Sequence, residues 1–192
     1  MNSLIKRKEK KIAKDYTSCH SIYNLKIPFN FRLYEYHLFL FLISALLFSC
    51  DKNRIYEKNI PIEKNIWDSK VIALYPVEIS DTSLLYNIYV NIRHTDNYPY
   101  QNIWLNIGTE FPDGNKATKR IEVMLSTDAG KWFGEGLGDI WDYRSMIEEN
   151  AYFQQPGLYT FSIEQNMRAD PLPGIMSAGL RIENTGIKRR PR

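Results

Sequence analysis

The residue with the clearest chemistry is Cys50, which ends a short apolar run and is preceded by Leu47 and Ser49. The apolar core, residues 38–48, is shorter than the roughly 20 residues of a membrane-spanning helix and has the length typical of an export signal. A leucine three places before the cysteine and a small residue directly before it fit the cleavage site of a bacterial lipoprotein signal peptidase. The sequence therefore predicts export, removal of residues 1–49 and acylation of Cys50, which would anchor the following domain on a bilayer.

Cysteine and histidine usage removes most catalytic and metal-binding chemistry from the exported part. Of two cysteines and three histidines, only Cys50 and His94 lie at or after the predicted cleavage point, and the Cys50 sulfur would carry lipid. A disulfide, a thiolate metal site and a cysteine nucleophile are thereby excluded. His94 lies in residues 91–97, which we interpret as a strand end entering a turn, so we expect a surface histidine. We predict neither a metal site nor a cofactor.

Carboxylates offer the remaining route to catalysis. A glycosidase needs two carboxyl groups about 5–9 Å apart, a separation that a sequence does not give. Solvated surface acids are the simpler interpretation, and the spaced oxygen ligands of a recognisable calcium loop are missing. We therefore predict that the protein is not an enzyme. The acids considered are Glu135, Asp139, Asp142, Glu148 and Glu149.

Residues 130–142 combine alternating glycines with aromatic side chains. Gly134, Gly136 and Gly138 lack the strand, helix and lysine of a phosphate-binding loop, so we interpret them as points of close backbone approach at a sheet edge. The aromatic residues form either core packing or an exposed platform. A platform would anchor a protein partner or stack on sugar rings, which makes a carbohydrate-binding module the alternative. The candidate partner-binding residues are Trp132, Phe133, Trp141 and Tyr143.

The net charge changes sign once the predicted signal is set aside. The chain is formally +3, but residues 1–49 hold eight basic and three acidic residues, which leaves −2 for residues 50–192. Four of the remaining cations lie in residues 188–192. An acidic body argues against nucleic-acid binding, whose affinity rests on the neutralisation of phosphates. We predict no nucleic-acid partner and interpret residues 185–192 as a basic tail.

Short strands are the elements that would position these residues. Residues 84–93 and 102–111 alternate apolar with polar side chains, the pattern of strands with one buried face. Residues 71–79 contain Pro76, which cannot donate to a ladder and predicts an edge strand. The Pro-Asp-Gly-Asn sequence at residues 112–115 predicts a hairpin turn. Further strands are predicted at residues 120–125, 158–165 and 178–183.

Regular strand spacing, an aromatic content of 14% and the lack of a long helical period predict an all-β fold. We expect an antiparallel β-sandwich of jelly-roll or immunoglobulin-like type. Only residues 143–151 could hold a helical turn or two. The predicted layout is an N-terminal extension and signal peptide (1–49), a lipidated tether (50–66), the β-sandwich (67–184) and the basic tail (185–192).

Eight segments carry a family resemblance. They are 50–57 (CDKNRIYE), 85–93 (LYNIYVNIR), 97–100 (NYPY), 111–114 (FPDG), 130–134 (GKWFG), 136–140 (GLGDI), 156–161 (PGLYTF) and 179–183 (GLRIE). In this order they resemble the gliding-motility lipoprotein GldH family of Bacteroidetes. The resemblance implies an accessory lipoprotein of the gliding apparatus, a machinery linked to type IX secretion, with no assigned enzymatic activity.

The resemblance also implies a location and a class of partner. Such a protein would be held by its lipid on the periplasmic side of a membrane or at the cell surface. Its expected partners are the membrane and other envelope proteins of gliding or type IX secretion. The N-terminal extension and the basic tail lie outside the resemblance.

Overall fold

The computed structural model describes residues 52–190, together with Tyr36, Phe39 and Leu40. Its strands all belong to the unit Asp51–Arg192, in which one 3-10 turn, Glu63–Asn65, interrupts the β structure. No helix among the described residues is long and apolar enough to cross a membrane. The strands are β1 (Arg54–Pro61), β2 (Ile66–Trp67), β3 (Ala73–Ile79), β4 (Leu84–Thr95), β5 (Asn102–Glu110), β6 (Lys116–Met124), β7 (Glu135–Leu137), β8 (Ile140–Ala151), β9 (Gly157–Gln165), β10 (Leu172–Pro173) and β11 (Ile175–Lys188).

The strands form two antiparallel sheets and a short ladder. One sheet has the order β1-β11-β4-β8-β7, the other has the order β3-β9-β5-β6, and β10 pairs with β2. Buried side chains from both sheets make one hydrophobic core. The Tyr75 hydroxyl of β3 donates to the Ala178 carbonyl of β11 at 2.7 Å, which joins the two sheets inside that core. The predicted antiparallel β-sandwich is confirmed.

The alternating pattern of β4 and β5 builds the centre of this core. Every second side chain of each strand faces inward, as the sequence pattern predicts. Burying one such side chain stabilises the fold by about 1.5–3 kcal/mol, and a slip of one residue would expose the whole set. The register is therefore strongly specified. The buried residues are Tyr86, Ile88, Val90 and Ile92 in β4, and Ile103, Leu105 and Ile107 in β5.

Two local predictions at the four-stranded sheet are also confirmed. β3, which contains Pro76, lies at an edge of this sheet. β5 and β6 form a hairpin whose turn contains Gly114 with a φ of +83°. The Phe111 amide donates to the Asn115 carbonyl at 2.9 Å and closes the turn.

Residues 54–61, predicted to belong to the tether, form β1 instead. This strand pairs with β11 over its whole length, from Arg54 opposite Glu183 to Pro61 opposite Ser177. The segment is polar because β1 is an edge strand with few inward-facing residues, so it lacks an alternating pattern. Its stability comes from a partner more than a hundred residues away in the sequence.

The end of β11 and the whole of β8 correct two further predictions. β11 continues to Lys188, so residues 185–188 belong to the sheet rather than to a tail. Residues 143–151, considered for a helical turn, lie in β8 and pair with β4. Inward-facing and outward-facing residues alternate along β8 as far as Glu148, but the inward positions include polar and aromatic side chains. Because the inward positions are not uniformly apolar, the sequence of β8 lacks the alternating hydrophobic pattern that predicts a strand.

Candidate functional site

The predicted aromatic residues come together at the hairpin of β7 and β8. Gly136 is the register partner of Trp141, and Gly138 turns the chain with a φ of +65°. Gly134 has a φ of +89°, and a Cβ placed there would lie 2.1 Å from the carbonyl oxygen of Asp142. Gly134 thus provides the close backbone approach that the alternating glycines predict.

Three of the aromatic side chains pack through ring contacts at the end of the core. The rings of Trp132 and His94 meet edge to face with centroids 4.6 Å apart. The rings of Phe133 and Tyr143 lie 5.6 Å apart at 32°. All three candidates are half-buried, and both Trp132 and Tyr143 contact the hydrophobic core. Their inner surfaces stabilise the sandwich, and only their outer edges are available to a partner.

The fourth aromatic side chain, Trp141, lies along the hairpin. Its indole nitrogen donates to Asp96 Oδ1 at 2.5 Å. A Cβ on Gly136 would approach the indole ring to 2.8 Å, so the ring covers the β7 backbone closely. These contacts hold Trp141 in a fixed orientation.

His94 is fully buried, which corrects the prediction of a surface histidine. Its Nδ1 lies 3.0 Å from the Thr95 carbonyl, and its Nε2 has no hydrogen-bond partner among the described residues. Burial lowers the pKa of His94 and outweighs the opposite effects of the Thr95 carbonyl and of Asp96 and Asp142. The imidazole is therefore neutral and packs as an aromatic side chain. It continues the inward face of β4 by one position.

A crevice of about 420 Å³ lies beside the same hairpin, among outward-facing side chains of the five-stranded sheet. Strands β1, β4 and β8 supply most of its walls, and the segment entering β7 supplies its rim. The polar lining residues are Glu57, Asn59, Asn91, Glu135, Asp142 and Arg144. Of these, only Glu135 and Asp142 were considered from the sequence.

Glu57 is the centre of the hydrogen bonds in this crevice. Its carboxylate accepts from Arg144 at 2.8 Å and from Asn91 at 3.1 Å. Arg54, at 3.2 Å, and Arg181 donate to the second carboxylate oxygen. Burial of Glu57 opposes ionisation, but the hydrogen bonds from Arg181 and Arg54 outweigh it and lower the pKa of the carboxyl. The crevice thus contains a fixed negative charge surrounded by guanidinium groups.

The candidate acids divide into paired and unpaired groups. Asp142 binds the Arg93 guanidinium through two hydrogen bonds of 2.7 and 2.9 Å, and Glu148 binds Lys119 Nζ at 2.5 Å. Among the residues that the structure describes, no group of three or more histidine, cysteine, aspartate or glutamate side chains could hold a metal ion. The remaining acids, Glu135, Asp139 and Glu149, form no ion pair with any described residue.

A second aromatic surface lies on the outer face of the four-stranded sheet. The Arg120 guanidinium sits over the Trp104 ring, 4.1 Å from the ring centroid. Beside it, Tyr100, Asn102 and Arg168 help to line a crevice of about 370 Å³. Trp104 stands on the polar side of the alternating segment 102–111, and this unusual position was the signal that could have identified the surface.

A protein-family model described as GldH lipoprotein matches residues 54–182, from the start of β1 into β11. The chain belongs to the GldH lipoprotein family. Among the relatives, the gliding motility lipoprotein GldH homolog of Christiangramia forsetii is 30% identical over 158 residues, which cover 78% of this chain and 96% of the relative. The gliding motility lipoprotein GldH of Flavobacterium johnsoniae is 30% identical over 151 residues, which cover 75% and 93%.

Membership of the GldH family has two direct implications. The family is one of lipoproteins, which implies a protein anchored by lipid in the cell envelope. It is not known as an enzyme family. The matched region includes all of β1, in agreement with the structural assignment of residues 54–61 to the domain.

Among solved structures, a chain of the infectious bursal disease virus VP2 subviral particle is similar to this chain. The match has a TM-score of 0.31 and 16% identity and covers 70% of this chain. It covers 33% of the viral chain, so this chain spans about a third of the length of that protein. A TM-score this low supports no functional comparison.

Proposed function

We propose that this protein is an accessory lipoprotein of the gliding-motility machinery that acts by binding other envelope proteins. The binding surface is the crevice centred on Glu57 together with the β7–β8 hairpin at its rim. The observation that carries the proposal is the pairing of the crevice charges with one another, Glu57 with Arg144 and Asp142 with Arg93. The names of the GldH relatives support the process in which it acts.

Paired charges favour recognition over catalysis. A general acid or base must exchange protons near the working pH, whereas hydrogen bonds from arginines hold the Glu57 carboxyl in its ionised form. A network with fixed donors and acceptors provides shape and polar complementarity instead, as the polar parts of protein interfaces do. We therefore assign the protein no catalytic role.

The hairpin adds an apolar contact at the rim. Leu137, at the end of β7, is 86% exposed, the largest exposure among the described apolar side chains outside the signal region. It lies four residues from Trp141, whose indole covers the β7 backbone. Leu137 pairs with Ile140, so it lies on the face of the hairpin opposite to the Trp141 ring, together with Glu135 and Asp142 of the crevice. A partner seated on the crevice would bury this leucine. The candidate residues Trp132, Phe133 and Tyr143 would support this contact from below.

Cys50 lies outside the described residues, and its lipidation is part of the proposal. Acyl chains contribute about 0.8 kcal/mol per buried methylene, so two or three chains would hold the domain firmly on a membrane. Mass spectrometry of the protein purified from cells should show an N-terminal acylated cysteine at position 50. Metabolic labelling with a clickable fatty acid should mark the native chain and leave Cys50→Ala unlabelled. Equal labelling of both would refute the assignment.

Site-specific crosslinking tests the binding surface. A photoreactive amino acid at Glu135, introduced into the chain in gliding cells, should capture an envelope protein, which mass spectrometry can identify. Leu137→Asp should reduce this capture strongly without lowering the melting temperature. Leu74→Asp is the matched control, because Leu74 is also an exposed leucine, 53% accessible, on the outer face of the other sheet. Equal capture in the two variants would contradict the proposed surface.

Trp104 supports a carbohydrate-binding module as the second candidate function. Trp104 is half-buried, with the Arg120 guanidinium over its ring and with Tyr100 and Asn102 beside it in the crevice. An aromatic ring flanked by amide and guanidinium groups is suited to contact with sugar rings and to hydrogen bonding with their hydroxyl groups. Titration with envelope polysaccharides should then give a saturable change in tryptophan fluorescence that Trp104→Ala removes. The absence of any response would leave the protein-binding proposal as the better one. A saturable response that persists in Trp104→Ala would show that sugars bind at another site.

A further inference from the structure

The five-stranded sheet extends beyond Arg54, the first residue of β1, at the end of the strand where the chain arrives from Cys50. Glu183 of β11 is the register partner of Arg54, but β11 continues to Lys188, which pairs with Leu84 of β4. The β4 partners of Glu183 and Lys188 are Asn87 and Leu84, three residue steps apart, which is about 10 Å along the strand. The C-terminal end of β11 therefore lies beyond Arg54, in the direction of the anchor.

The connection from Cys50 to β1 is short. Three residues separate Cys50 from Arg54, so four Cα steps span at most about 14 Å. A lipid on Cys50 is therefore tied to the start of β1 by a connection no longer than about 14 Å. The acyl anchor thus holds a bilayer near the end of the domain at which β1 begins and β11 ends. Charges at that end interact with the bilayer over the roughly 8–10 Å that physiological salt allows.

The residues after β11 are held against this end of the domain. The Arg189 amide donates to the Ser83 carbonyl at 2.7 Å, and the Arg189 guanidinium sits 4.1 Å from the centroid of the Tyr152 ring. Apolar and aromatic side chains are exposed at the same end. Ile187 is 54% exposed, and Ile55, at an irregularity in the pairing of β1, is 42% exposed.

Cations outnumber acids among the described residues at this end, where the cations are Lys52, Lys188, Arg189 and Arg190 and the acids are Asp81 and Glu149. Asp81 approaches Lys188, as the lowering of the Asp81 pKa by Ser83 hydrogen bonds and, more weakly, by Lys188 indicates. Among the described residues, Lys52, Arg189 and Arg190 form no ion pair. Exposed cations beside an aromatic ring and two isoleucines resemble the composition of surfaces that bind membrane interfaces.

We propose that this end docks on the anionic phospholipid headgroups of the membrane that holds the lipid. We call it the basic end surface: Lys52, Tyr152, Ile187, Lys188, Arg189 and Arg190. The inference rests on the proposed lipidation of Cys50, and it adds a second, electrostatic contact to the acyl anchor. Each lysine or arginine near an anionic surface contributes about 1 kcal/mol.

Docking sets the orientation of the domain. The basic end surface adjoins the start of β4, where Leu84 pairs with Lys188. The β7–β8 hairpin adjoins the other end of that strand, where Thr95 pairs with Ile140. Twelve residues of β4 separate the two, about 35–40 Å. The docked domain therefore points the hairpin away from the bilayer, toward other envelope components.

The lipidated protein purified from cells allows a direct test. Processing removes Cys19 and lipidation blocks Cys50, so Ile187→Cys supplies a single thiol for an environment-sensitive fluorophore. Its emission should shift to the blue on vesicles of phosphatidylcholine with phosphatidylglycerol, and not on phosphatidylcholine alone. High salt should reverse the shift. A label at Leu74→Cys, a position of matching 53% exposure, should not respond.

Charge removal completes the test. Replacing Lys188, Arg189 and Arg190 by glutamine should lower the ratio of docked to undocked protein about a hundredfold. Three exposed cations at the opposite end provide the matched control, and glutamine there should leave the shift unchanged. The control residues are Lys64, Lys70 and Arg168.

The possible outcomes separate the two claims. Protein that carries lipid and floats with both kinds of vesicle, but whose label never shifts, would overturn the docking and leave the lipidation intact. An equal shift on neutral and anionic vesicles, or in the charge-removed variant, would also overturn it. Protein without an acyl group on Cys50 would refute the lipidation itself, and the docking with it.

Discussion

Glu57 and Arg181 face each other across β1 and β11 and form an ion pair that joins the first strand of the domain to the last. The side chain of Arg181 is 6% exposed and that of Glu57 is 17% exposed, so water screens the pair weakly. Arg181 also bonds Glu183 on its own strand. The family domain therefore closes through a polar contact between its two ends, in addition to its apolar core.

Glu57→Gln should destabilise the domain by about 2–3 kcal/mol, because it removes the charged acceptor that faces the buried Arg181 guanidinium. Urea denaturation monitored by tryptophan fluorescence measures this change. Glu148→Gln is the matched control, since Glu148 and Lys119 form an exposed ion pair that contributes less than about 1 kcal/mol. Similar losses in the two variants would contradict the importance of the buried network.

Glu57 should also contribute to acid sensitivity. Its pKa lies below the ordinary value when the protein is folded, so the unfolded chain binds more protons between the two values. The contribution is complete above the ordinary glutamate pKa of 4.5 and is lost as the pH falls through the folded-state pKa. The free energy of unfolding of Glu57→Gln should decline less steeply below that pH than that of the native protein. Identical slopes would show that Glu57 is not the responsible group.

His94 should destabilise the protein on mild acidification. Burial lowers its folded-state pKa below 6.5, so the unfolded chain takes up a proton first as the pH falls. Stability should be constant well above pH 6.5 and should fall as the pH drops from 6.5 toward the folded-state pKa, by about 1.4 kcal/mol for each unit of pKa difference. His94→Phe, which keeps an aromatic ring against Trp132, should remove this dependence. An imidazole titrating at or above its ordinary pKa by NMR would contradict the prediction.

The tryptophans should differ in their effect on stability. Trp67 is fully buried, so Trp67→Ala should cost about 3–5 kcal/mol. Trp132→Ala should cost less, about 2–3 kcal/mol, because half-buried Trp132 still packs on His94 and the core. Trp141→Ala should lower the melting temperature least and reduce partner crosslinking most. If Trp132→Ala strongly reduced crosslinking without any loss of stability, the partner would contact Trp132 itself, contrary to the proposal.

Alanine substitutions at two glycines with similar φ angles distinguish the cost of backbone strain from the cost of a steric clash. Gly130 and Gly134 have φ values of +78° and +89°, but no atom lies within 4 Å of a Cβ on Gly130. Gly130→Ala should therefore cost only about 1 kcal/mol of backbone strain. In Gly134→Ala the new Cβ would collide with the β8 backbone at Asp142, so this variant should lose about 2 kcal/mol more than Gly130→Ala. Thermal melts of both variants measure the difference, and equal melting temperatures would contradict the close approach.

The sequence alone determined the features that depend on local pattern. Alternation in residues 84–93 specified the buried face of β4, and the Pro-Asp-Gly-Asn turn at 112–115 specified the hairpin that joins β5 to β6. Pro76 placed β3 at an edge. These signals can be recognised in a sequence because apolar side chains recur every two residues in a strand with one buried face, and because a tight turn requires particular backbone angles.

The polar segments of the sheets are identified only by their pairing in the folded chain. Residues 54–61 have no apolar period, and they form β1 because β11 supplies their hydrogen-bonding partners. His94 is buried because β8, the 130–134 segment and the core close around a position that looks like a strand end in the sequence. Glu57 acquires its role from Arg181, 124 residues away. Edge strands and polar networks derive their stability from pairing between segments that are far apart in the sequence. Such pairing leaves no local repeating pattern from which it could be predicted.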